Sequence, residues 1–330
     1  MAEITPSPFI LSLPKAELHL HLEGSVQPET LVELSQRHDT RPSDIEAVHR
    51  LYRYENFTGF LMAFKAVTDR LQTPDDYELI TYKLIEQLAR ENVAHAEITF
   101  SAGVCLWRKQ DVDAIFAGME RGRARGERDF GVSVLWIWDA IRQFGAEPAL
   151  KVVEAAARNH ATGFGIGGDE RKGPPENFRD VYAEARRLGL RLTAHAGETA
   201  GPESIWGAIN LGAERIGHGL NAVEDGELMH VLAERQIPIE VCPTSNLRTG
   251  CCRDLKQHPV RRMFDEGLMV TISSDDPAMF ETSVAREYAL LQSEFGFTDD
   301  ELRELARNSF EASFLPAEKK VELLDRVDKS

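Results

Sequence analysis

The stretch AELHLHLEG, residues 16–24, alternates apolar and polar side chains as a half-buried β-strand does. Side chains two positions apart in a strand share a face, so the imidazoles of His19 and His21 point in the same direction. Two neutral imidazoles on one face, at a strand end closed by Gly24, supply half of a divalent-metal site. Taken alone, the pair is about as consistent with two solvated or hydrogen-bonded histidines. Partners elsewhere in the chain must decide between these interpretations.

Eight short apolar segments recur along the chain, mostly preceded by helical patterns and followed by small or polar residues. They are Ala16–Gly24, Val93–Ser101, Gly131–Ala140, Ala161–Glu170, Leu190–Glu198, Ala213–Leu220, Pro238–Asn246 and Leu268–Pro277. From the second onward their spacing suits alternating strands and helices in a parallel sheet. Eight such units predict a closed (β/α)8 TIM barrel, and a doubly wound open sheet is the second choice.

The first interval between these segments is the longest, because residues 25–92 leave room for several helices instead of one. Phe57, Phe60, Leu61 and Phe64 recur within it at the spacing of one helical face. This face either packs on the barrel or forms an apolar lid beside the exit of the first strand. No linker or internal repeat divides the chain, so we expect one domain, 1–330, with a helical lid insertion at about 25–92.

The amino-acid composition limits the partners that this chain can bind. A formal charge of −16 argues against a nucleic-acid duplex or an anionic membrane, because those surfaces repel an acidic protein, whereas a neutral small molecule is compatible with it. The first residues do not resemble a signal peptide and no apolar run suits a membrane helix, so we expect a cytoplasmic protein. The four cysteines are expected to be reduced thiols, with a redox role for the adjacent Cys251 and Cys252 as the alternative.

Metal-binding side chains end several of the predicted strands. His195 and His218 end the fifth and sixth, and the pair Asp275 and Asp276 ends the eighth. A parallel barrel brings all strand ends to one rim, so these residues would meet the two histidines of the first strand. Each alone has another explanation, such as a histidine that satisfies a carbonyl or an aspartate that caps a helix. Together they predict a metal site, and three histidines with a carboxylate suit a zinc ion that keeps a position for water.

A hydrolytic reaction at such a site also needs groups that move protons. Metal-bound water loses a proton near neutral pH and becomes a nucleophile. Glu198 lies three residues after His195, where it can protonate a leaving group or a ring nitrogen. His218 lies between two glycines that let other groups approach closely, and it can orient the water or accept its proton.

Five motifs, in this order, resemble the adenosine deaminase family over about residues 13–315. They are HLHLEG (19–24), HAGE (195–198), GHG (217–219), CPTSN (242–246) and SDDP (274–277). The resemblance implies a metal-dependent (β/α)8 barrel that hydrolyses the 6-amino group of a purine. It also implies that one zinc ion per chain is bound by His19, His21, His195 and Asp275.

The same resemblance implies roles for the remaining site residues. Glu198 handles the proton at purine N1, and His218 activates or positions the hydroxide. Asp276 meets N7, and the backbone N–H of Gly168 meets N3. Glu23 stands where the common adenosine enzymes carry an aspartate that contacts the ribose 5′-hydroxyl, so we expect Glu23 to read the 5′ side of the sugar.

Other departures from the common adenosine enzymes concern the substrate. Thr99 follows Glu97 in the second strand where arginine is usual, and the third strand reads WIWDAIR (136–142). The runs DDPAMF (275–280) and NSFEASF (308–314) resemble a bacterial branch that includes aminodeoxyfutalosine deaminases. That branch acts on a 6-aminopurine nucleoside with a large aromatic acid at its 5′ end. Adenosine remains the first choice of substrate from the family as a whole, and these departures make aminodeoxyfutalosine and free adenine the alternatives.

Two other classes of protein are disfavoured. A metal-bearing binding protein without catalysis would not need Glu198, His218 and Asp276 beside all four ligands. The cytidine-type zinc deaminases combine H-x-E with a later P-C-x-x-C, and here the order Cys242-Pro243 is reversed, so that fold is excluded.

Overall fold

Eight parallel β-strands form the centre of the molecule in the computed structural model, which describes residues 4–54 and 56–330. They are β1 (Lys15–His21), β2 (Val93–Phe100), β3 (Ser133–Ile141), β4 (Gly163–Gly167), β5 (Arg191–Ala196), β6 (Arg215–His218), β7 (Ile239–Val241) and β8 (Val270–Ile272). Each strand pairs with the next one along the chain. A parallel bridge between Leu20 and Asp275 returns the segment after β8 to β1. The TIM-barrel prediction is confirmed, and the open-sheet alternative is wrong because its strand order would reverse partway.

All eight strands overlap their predicted segments, and each strand is shorter than its segment. The predicted fifth segment runs to Glu198, whereas β5 ends at Ala196. The eighth runs to Pro277, whereas β8 ends at Ile272. The residues that follow the strands leave the sheet and line the rim of the barrel, and this is where the polar side chains lie.

Helices surround the barrel, and capping residues in the sequence explain where several of them begin. They are α1 (Pro8–Ser12), α2 (Pro28–His38), α3 (Ile45–Leu51), α4 (Phe57–Thr68), α5 (Pro74–Arg90), α6 (Ala102–Trp107), α7 (Val112–Phe130), α8 (Ala146–Arg158), α9 (Arg179–Arg187), α10 (Pro202–Leu211), α11 (Gly226–Arg235), α12 (Pro243–Arg248), α13 (Val260–Asp265), α14 (Pro277–Phe280), α15 (Val284–Phe295), α16 (Asp299–Ala312) and α17 (Ala317–Asp328). Thr73 and Thr298 form capping boxes that start α5 and α16. Short 3₁₀ turns include Glu23–Ser25, directly after β1.

Four helices, α2 to α5, fill the long interval between β1 and β2. This segment is attached to the loop that follows β8. The hydroxyl of Tyr54 donates a hydrogen bond to the carbonyl of Met279 at 2.8 Å. The rings of Phe60 and Phe280 lie 5.0 Å apart, so α4 packs against α14. The extra helices therefore contact the chain just beyond the two aspartates.

The interior of the barrel contains a chain of buried charged residues. Arg215 on β6 lies 2.7 Å from Glu97 of β2 and 2.6 Å from Glu240 of β7. Glu240 also accepts a hydrogen bond from His19 of β1, and Glu97 accepts one from the backbone N–H of Phe314. Buried charges are tolerated when they are paired in this way. The network connects the region after α16 to the first strand.

Within the described ranges, 4–54 and 56–330, no helix has both the length and the apolar character needed to cross a bilayer. The four cysteines are free, so the adjacent pair Cys251 and Cys252 forms no bridge. Cys251 instead lies beside the carboxyl group of Glu198, with Sγ 3.7 Å from Oε1.

Candidate active site

The four residues predicted to bind zinc come together at the C-terminal rim of the barrel. His19 and His21 project from β1, His195 projects from β5, and Asp275 follows β8. One donor atom from each lies within 4.8 Å of the other three. The Nε2 atoms of His21 and His195 are 3.1 Å apart, and Asp275 Oδ1 lies 3.4 Å from His21 Nε2. Three imidazoles and a carboxylate oxygen match the donors that zinc prefers.

Neighbouring groups orient two of the imidazoles toward the centre. Glu240 accepts a hydrogen bond from His19 Nδ1 at 2.8 Å. The carbonyl of Ile166 accepts one from His195 Nδ1 at 3.1 Å. Because Nδ1 carries the proton in each ring, Nε2 is left with a free electron pair that faces the centre.

Two further observations agree with a bound cation. His19 Nε2 is buried and has no hydrogen-bond partner among the described residues, and such an atom costs free energy unless a ligand satisfies it. The hydroxyl of Ser245 donates to Asp275 Oδ2 at 2.6 Å, which leaves Oδ1 for an ion. The side chains present therefore fit a divalent metal ion.

Burial and neighbouring carboxylates set the protonation of these histidines. Burial lowers the pKa of His21 to about 4 and that of His195 well below its usual value, so both rings are neutral. Burial also lowers the pKa of His19, but the neighbouring carboxylates of Asp275 and Glu240 outweigh it and raise that pKa to about 10. The two carboxylates thus favour a positive charge at His19, where a metal ion and a proton would compete.

A second group of donor atoms shares His19 and Asp275 and adds His218 and Cys242. Burial raises the pKa of the Cys242 thiol well above its usual value, which disfavours the thiolate that binds metals. His218 Nδ1 is already occupied, since the side-chain amide of Asn246 donates to it at 3.2 Å. The group with three histidines and one aspartate is therefore the better metal site.

The two predicted catalytic residues lie next to the metal ligands. His218 Nε2 is 3.7 Å from Glu198 Oε2 and 3.9 Å from Asp275 Oδ2. Burial, together with the charge of Asp275, raises the pKa of Glu198 to about 8, so its carboxyl group holds a proton at neutral pH. Burial lowers the pKa of His218 to about 4 and keeps its ring neutral. Glu198 can therefore supply a proton, and His218, whose Nδ1 accepts from Asn246, can donate a hydrogen bond from Nε2.

The backbone turns sharply where two of the site residues leave their strands. His218 and Asp275 both have a φ of 64°, a left-handed conformation that residues other than glycine rarely adopt. Strain of this kind is concentrated at functional sites. Gly24 is required for a close approach, because a Cβ at that position would lie 1.8 Å from Asp276 Oδ1.

Glu170 organises the loop that carries Glu198, although the sequence did not identify it as a functional residue. Its buried carboxylate accepts hydrogen bonds from the backbone N–H groups of Gly197, Glu198 and Thr199 and from the hydroxyl of Ser204. A carboxylate with two accepting oxygens suits this ring of donors. The bonds hold the turn after β5 and so set the position of the Glu198 side chain.

We expect Glu170→Gln to lower kcat at least about tenfold, because misplacing a catalytic group by a fraction of an ångström is costly. In the variant, the NH₂ group of glutamine replaces a carboxylate oxygen that accepts hydrogen bonds from the backbone. At least one buried N–H then loses its acceptor, at a cost of about 1–3 kcal/mol in the free energy of unfolding. Kinetics, metal content and urea unfolding measure the effect, and Glu176→Gln at an exposed position is the control. Metal content should stay the same in the variant. Unchanged kcat and unchanged stability would contradict the proposed role of Glu170 in positioning Glu198.

A cavity of about 300 Å³ lies over the candidate metal site and is lined in part by His21, His195 and Asp275. Its apolar wall consists of Phe57, Phe60, Leu61, Phe64, Val104, Trp107, Ile141 and Phe144. The rings of Trp107 and Phe144 stack with a centroid distance of 5.8 Å. The α4 face for which the sequence left two interpretations thus lines the cavity, while Phe60 in the same face also packs on α14.

Two of the three predicted substrate-binding residues line this cavity. Gly168 does so with a φ of 92°, a conformation that favours glycine. Asp276 does so with a buried Oδ1 that has no hydrogen-bond partner among the described residues. Burial, with the adjacent charge of Asp275, raises the pKa of Asp276 well above its usual range. This environment favours the protonated form of Asp276, which can donate a hydrogen bond to a ring nitrogen.

The structure differs from the expectation for Glu23. The strand alternation stops at His21, and Glu23 begins a 3₁₀ turn, so its side chain does not share the face of the metal ligands. Its carboxylate is fully buried and accepts hydrogen bonds from the backbone N–H and the hydroxyl of Ser101, at 3.1 and 3.2 Å. Ser101 lines the cavity in its place. Glu23 therefore supports a cavity residue and does not itself face the cavity.

Sequence reasoning also missed Glu240, which orients His19. One signal could have identified it. Glu240 is the single charged residue within the short apolar strand Ile239–Val241, and a carboxylate in such a strand needs a buried partner. Ser245 and Asn246 lay inside a motif that was quoted only for its resemblance, and their roles depend on contacts with distant strands.

Comparisons with known proteins agree with this geometry. A family model described as adenosine deaminase matches residues 14–330. The aminodeoxyfutalosine deaminase of Streptomyces avermitilis is 39% identical to this chain, over 97% of the chain and 92% of that protein. The crystal structure of adenine deaminase from Arthrobacter aurescens superimposes with a TM-score of 0.92 and 35% identity, covering 96% of this chain and 98% of that one. An amidohydrolase from Burkholderia ambifaria, solved with bound Zn, gives a TM-score of 0.89 and 30% identity, covering 100% and 97%.

Proposed function

The chain belongs to the adenosine deaminase family, and on that premise we propose that it deaminates a 6-aminopurine nucleoside with a large aromatic acid at its 5′ end, as in aminodeoxyfutalosine. It is a hydrolase that acts on a C–N bond of a cyclic amidine. In the proposed reaction the oxygen of water forms a bond to purine C6, the bond from C6 to the amino nitrogen breaks, and ammonia leaves.

The shape of the cavity carries this choice of substrate. The apolar wall combines Phe57, Phe60, Leu61 and Phe64 of α4 with the stacked rings of Trp107 and Phe144, so the cavity offers apolar surface to a substituent as well as polar groups to a purine. A volume of about 300 Å³ falls within the range of sites that hold drug-sized ligands. Burying apolar surface yields roughly 25 cal/mol per Å², so an aromatic 5′ group gains binding energy here that the hydroxymethyl group of adenosine does not.

We propose zinc as the metal, with His19, His21, His195 and Asp275 as its ligands. The orphaned Nε2 of His19 and the convergence of four donor atoms support this assignment, as does the neighbour that was solved with bound Zn. When bound, the ion lowers the pKa of a water molecule and so provides a nucleophile at neutral pH.

The side chains around the centre would divide the remaining work. Glu198 holds a proton at neutral pH and would deliver it to purine N1 as C6 becomes tetrahedral. His218 is neutral, and because Asn246 donates to its Nδ1, its Nε2 carries the proton and would position the attacking water through a hydrogen bond. The protonated carboxyl group of Asp276 would donate to N7, and the backbone N–H of Gly168 would donate to N3.

Free adenine is the second candidate substrate. The adenine deaminase of Arthrobacter aurescens matches this chain over nearly its full length. The groups assigned to the purine ring would serve both substrates equally, because none of them contacts the sugar. The two candidates therefore differ in the group that would occupy the rest of the cavity, beside the apolar wall.

We expect kcat/KM for a 5′-aryl-carboxylate adenosine to exceed the values for adenosine and adenine about 10- to 150-fold, since burying an aromatic side group contributes roughly 1.5–3 kcal/mol. Loss of absorbance near the adenine band, with one protein sample, measures all three substrates. If kcat/KM is highest for adenine, the second candidate is favoured. If it is highest for adenosine, the substrate expected from the sequence is favoured.

A further inference from the structure

Two cationic side chains line the cavity of this acidic protein. Lys65 lies in the last turn of α4, and Arg108 follows α6 directly. Both contact the same carboxylate, because Lys65 Nζ is 2.7 Å from Asp69 Oδ2 and Arg108 Nη2 is 2.6 Å from Asp69 Oδ1. One negative charge is thus shared by two positive charges, so this part of the cavity carries a net positive charge.

We propose that Lys65 and Arg108 bind the carboxylate of the substrate's 5′ substituent. The inference rests on the proposed function and adds the residues that select for the acid. A carboxylate that leaves water for an apolar cavity needs charged hydrogen-bond partners, and an arginine and a lysine provide them. The stacked rings of Trp107 and Phe144 line the same cavity and offer a surface for the aromatic ring that carries the acid.

The surroundings of the two cations favour a carboxylate over a phosphate. Lys65 and Arg108 both lie at the C-terminal ends of helices, where the helix dipole contributes partial negative charge. The adjacent wall is aromatic. One net positive charge therefore matches a singly charged carboxylate better than a phosphate with nearly two charges.

The two cations differ in their structural duties. Arg108 also donates to the hydroxyl of Thr68 at 3.0 Å and to the Thr68 carbonyl, so it links α6 to α4. Its side chain is 15% exposed. Lys65 is 54% exposed and pairs with Asp69 alone among the described residues. A substitution at Lys65 therefore tests the charge with little effect on folding. A substitution at Arg108 can also lower activity toward every substrate, so its effect must be read as a ratio between two substrates.

The experiment compares the 5′-aryl-carboxylate adenosine with its methyl ester, which differs in charge at the proposed contact. The readout is the ratio of kcat/KM for acid to ester, in which a general loss of activity cancels. We expect wild type to prefer the acid at least about tenfold, Lys65→Gln to reduce the ratio about threefold, and Arg108→Gln to bring it near unity. Asp69→Asn removes the competing carboxylate and should raise the ratio.

The matched control is Lys151→Gln, which removes an exposed lysine from a similar i, i+4 pair with Glu147 on α8 and should leave the ratio unchanged. Equal use of acid and ester by wild type would overturn this inference and leave the proposed function intact. Failure to deaminate either compound, while adenine is deaminated, would overturn the proposed function itself. A greater dependence on Lys65 and Arg108 for adenosine 5′-monophosphate than for the carboxylate would overturn the assignment to a carboxylate.

Discussion

Replacing His195 with alanine will release the metal and abolish deamination. The imidazole of His195 lies 3.1 Å from that of His21, and the alanine variant leaves two histidines and one aspartate for an ion that prefers four donors including water. Wild-type protein should carry about one zinc per chain after dialysis, and the variant should carry almost none. Elemental analysis of the purified proteins measures the difference directly.

The control for this change is His230→Ala, which removes an exposed histidine from α11 and should leave metal content and activity unchanged. Circular dichroism separates loss of metal from loss of fold. A stricter variant combines His19→Ala with His195→Ala. If that double variant still held one zinc per chain, the assignment of the metal ligands would be wrong.

Glu198→Gln should retain the metal and bind substrate, yet turn over about 10²–10⁴-fold more slowly, which is the usual contribution of general acid–base catalysis. Glutamine can keep a hydrogen bond to the ring nitrogen but cannot transfer a proton to it. Because the proton is needed only as C6 becomes tetrahedral, kcat and kcat/KM should fall together with little change in KM. Steady-state kinetics on the best substrate, with metal content measured in parallel, provides the test.

The matched control for Glu198→Gln is Glu234→Gln, the same substitution at an exposed position of α11. The pH dependence supplies a second measurement. Since burial raises the pKa of Glu198 to about 8, the wild-type rate should decline as pH rises through that value, and the decline should be absent in the variant. A variant with near-normal kcat would remove Glu198 from the mechanism.

The barrel could be predicted because its strands repeat one pattern. Each is buried on both faces and is followed by an amphipathic helix, so eight apolar segments were visible without any knowledge of contacts. Their ends could not be predicted as well. β8 covers only Val270–Ile272, although the predicted segment also included the polar residues that follow it. A strand ends at its last hydrogen bond to the neighbouring strand, and the amino-acid sequence does not show where that bond lies.

In the candidate site, too, some features could be predicted from the sequence and others could not. The convergence of the four candidate metal ligands could be predicted because few residue types bind zinc and all four lie in or just after strands. Glu170 could not, because its function depends on facing N–H groups 27 to 29 residues later in the chain. The placement of the Glu23 side chain differs from the expectation because the alternation was extended two residues beyond His21 into a turn. Long-range geometry, and not residue type, separates these cases.

The buried link from Phe314 through Glu97, Arg215 and Glu240 to His19 has a consequence for the nascent chain on the ribosome. His19 emerges long before the groups that orient its ring, and Phe314 emerges after all of them. Until the segment after β8 emerges, the edge of the first strand lacks its partner and is open to wrong pairing. Metal loading would therefore report that the chain has been synthesised through β8 and the residues that follow it.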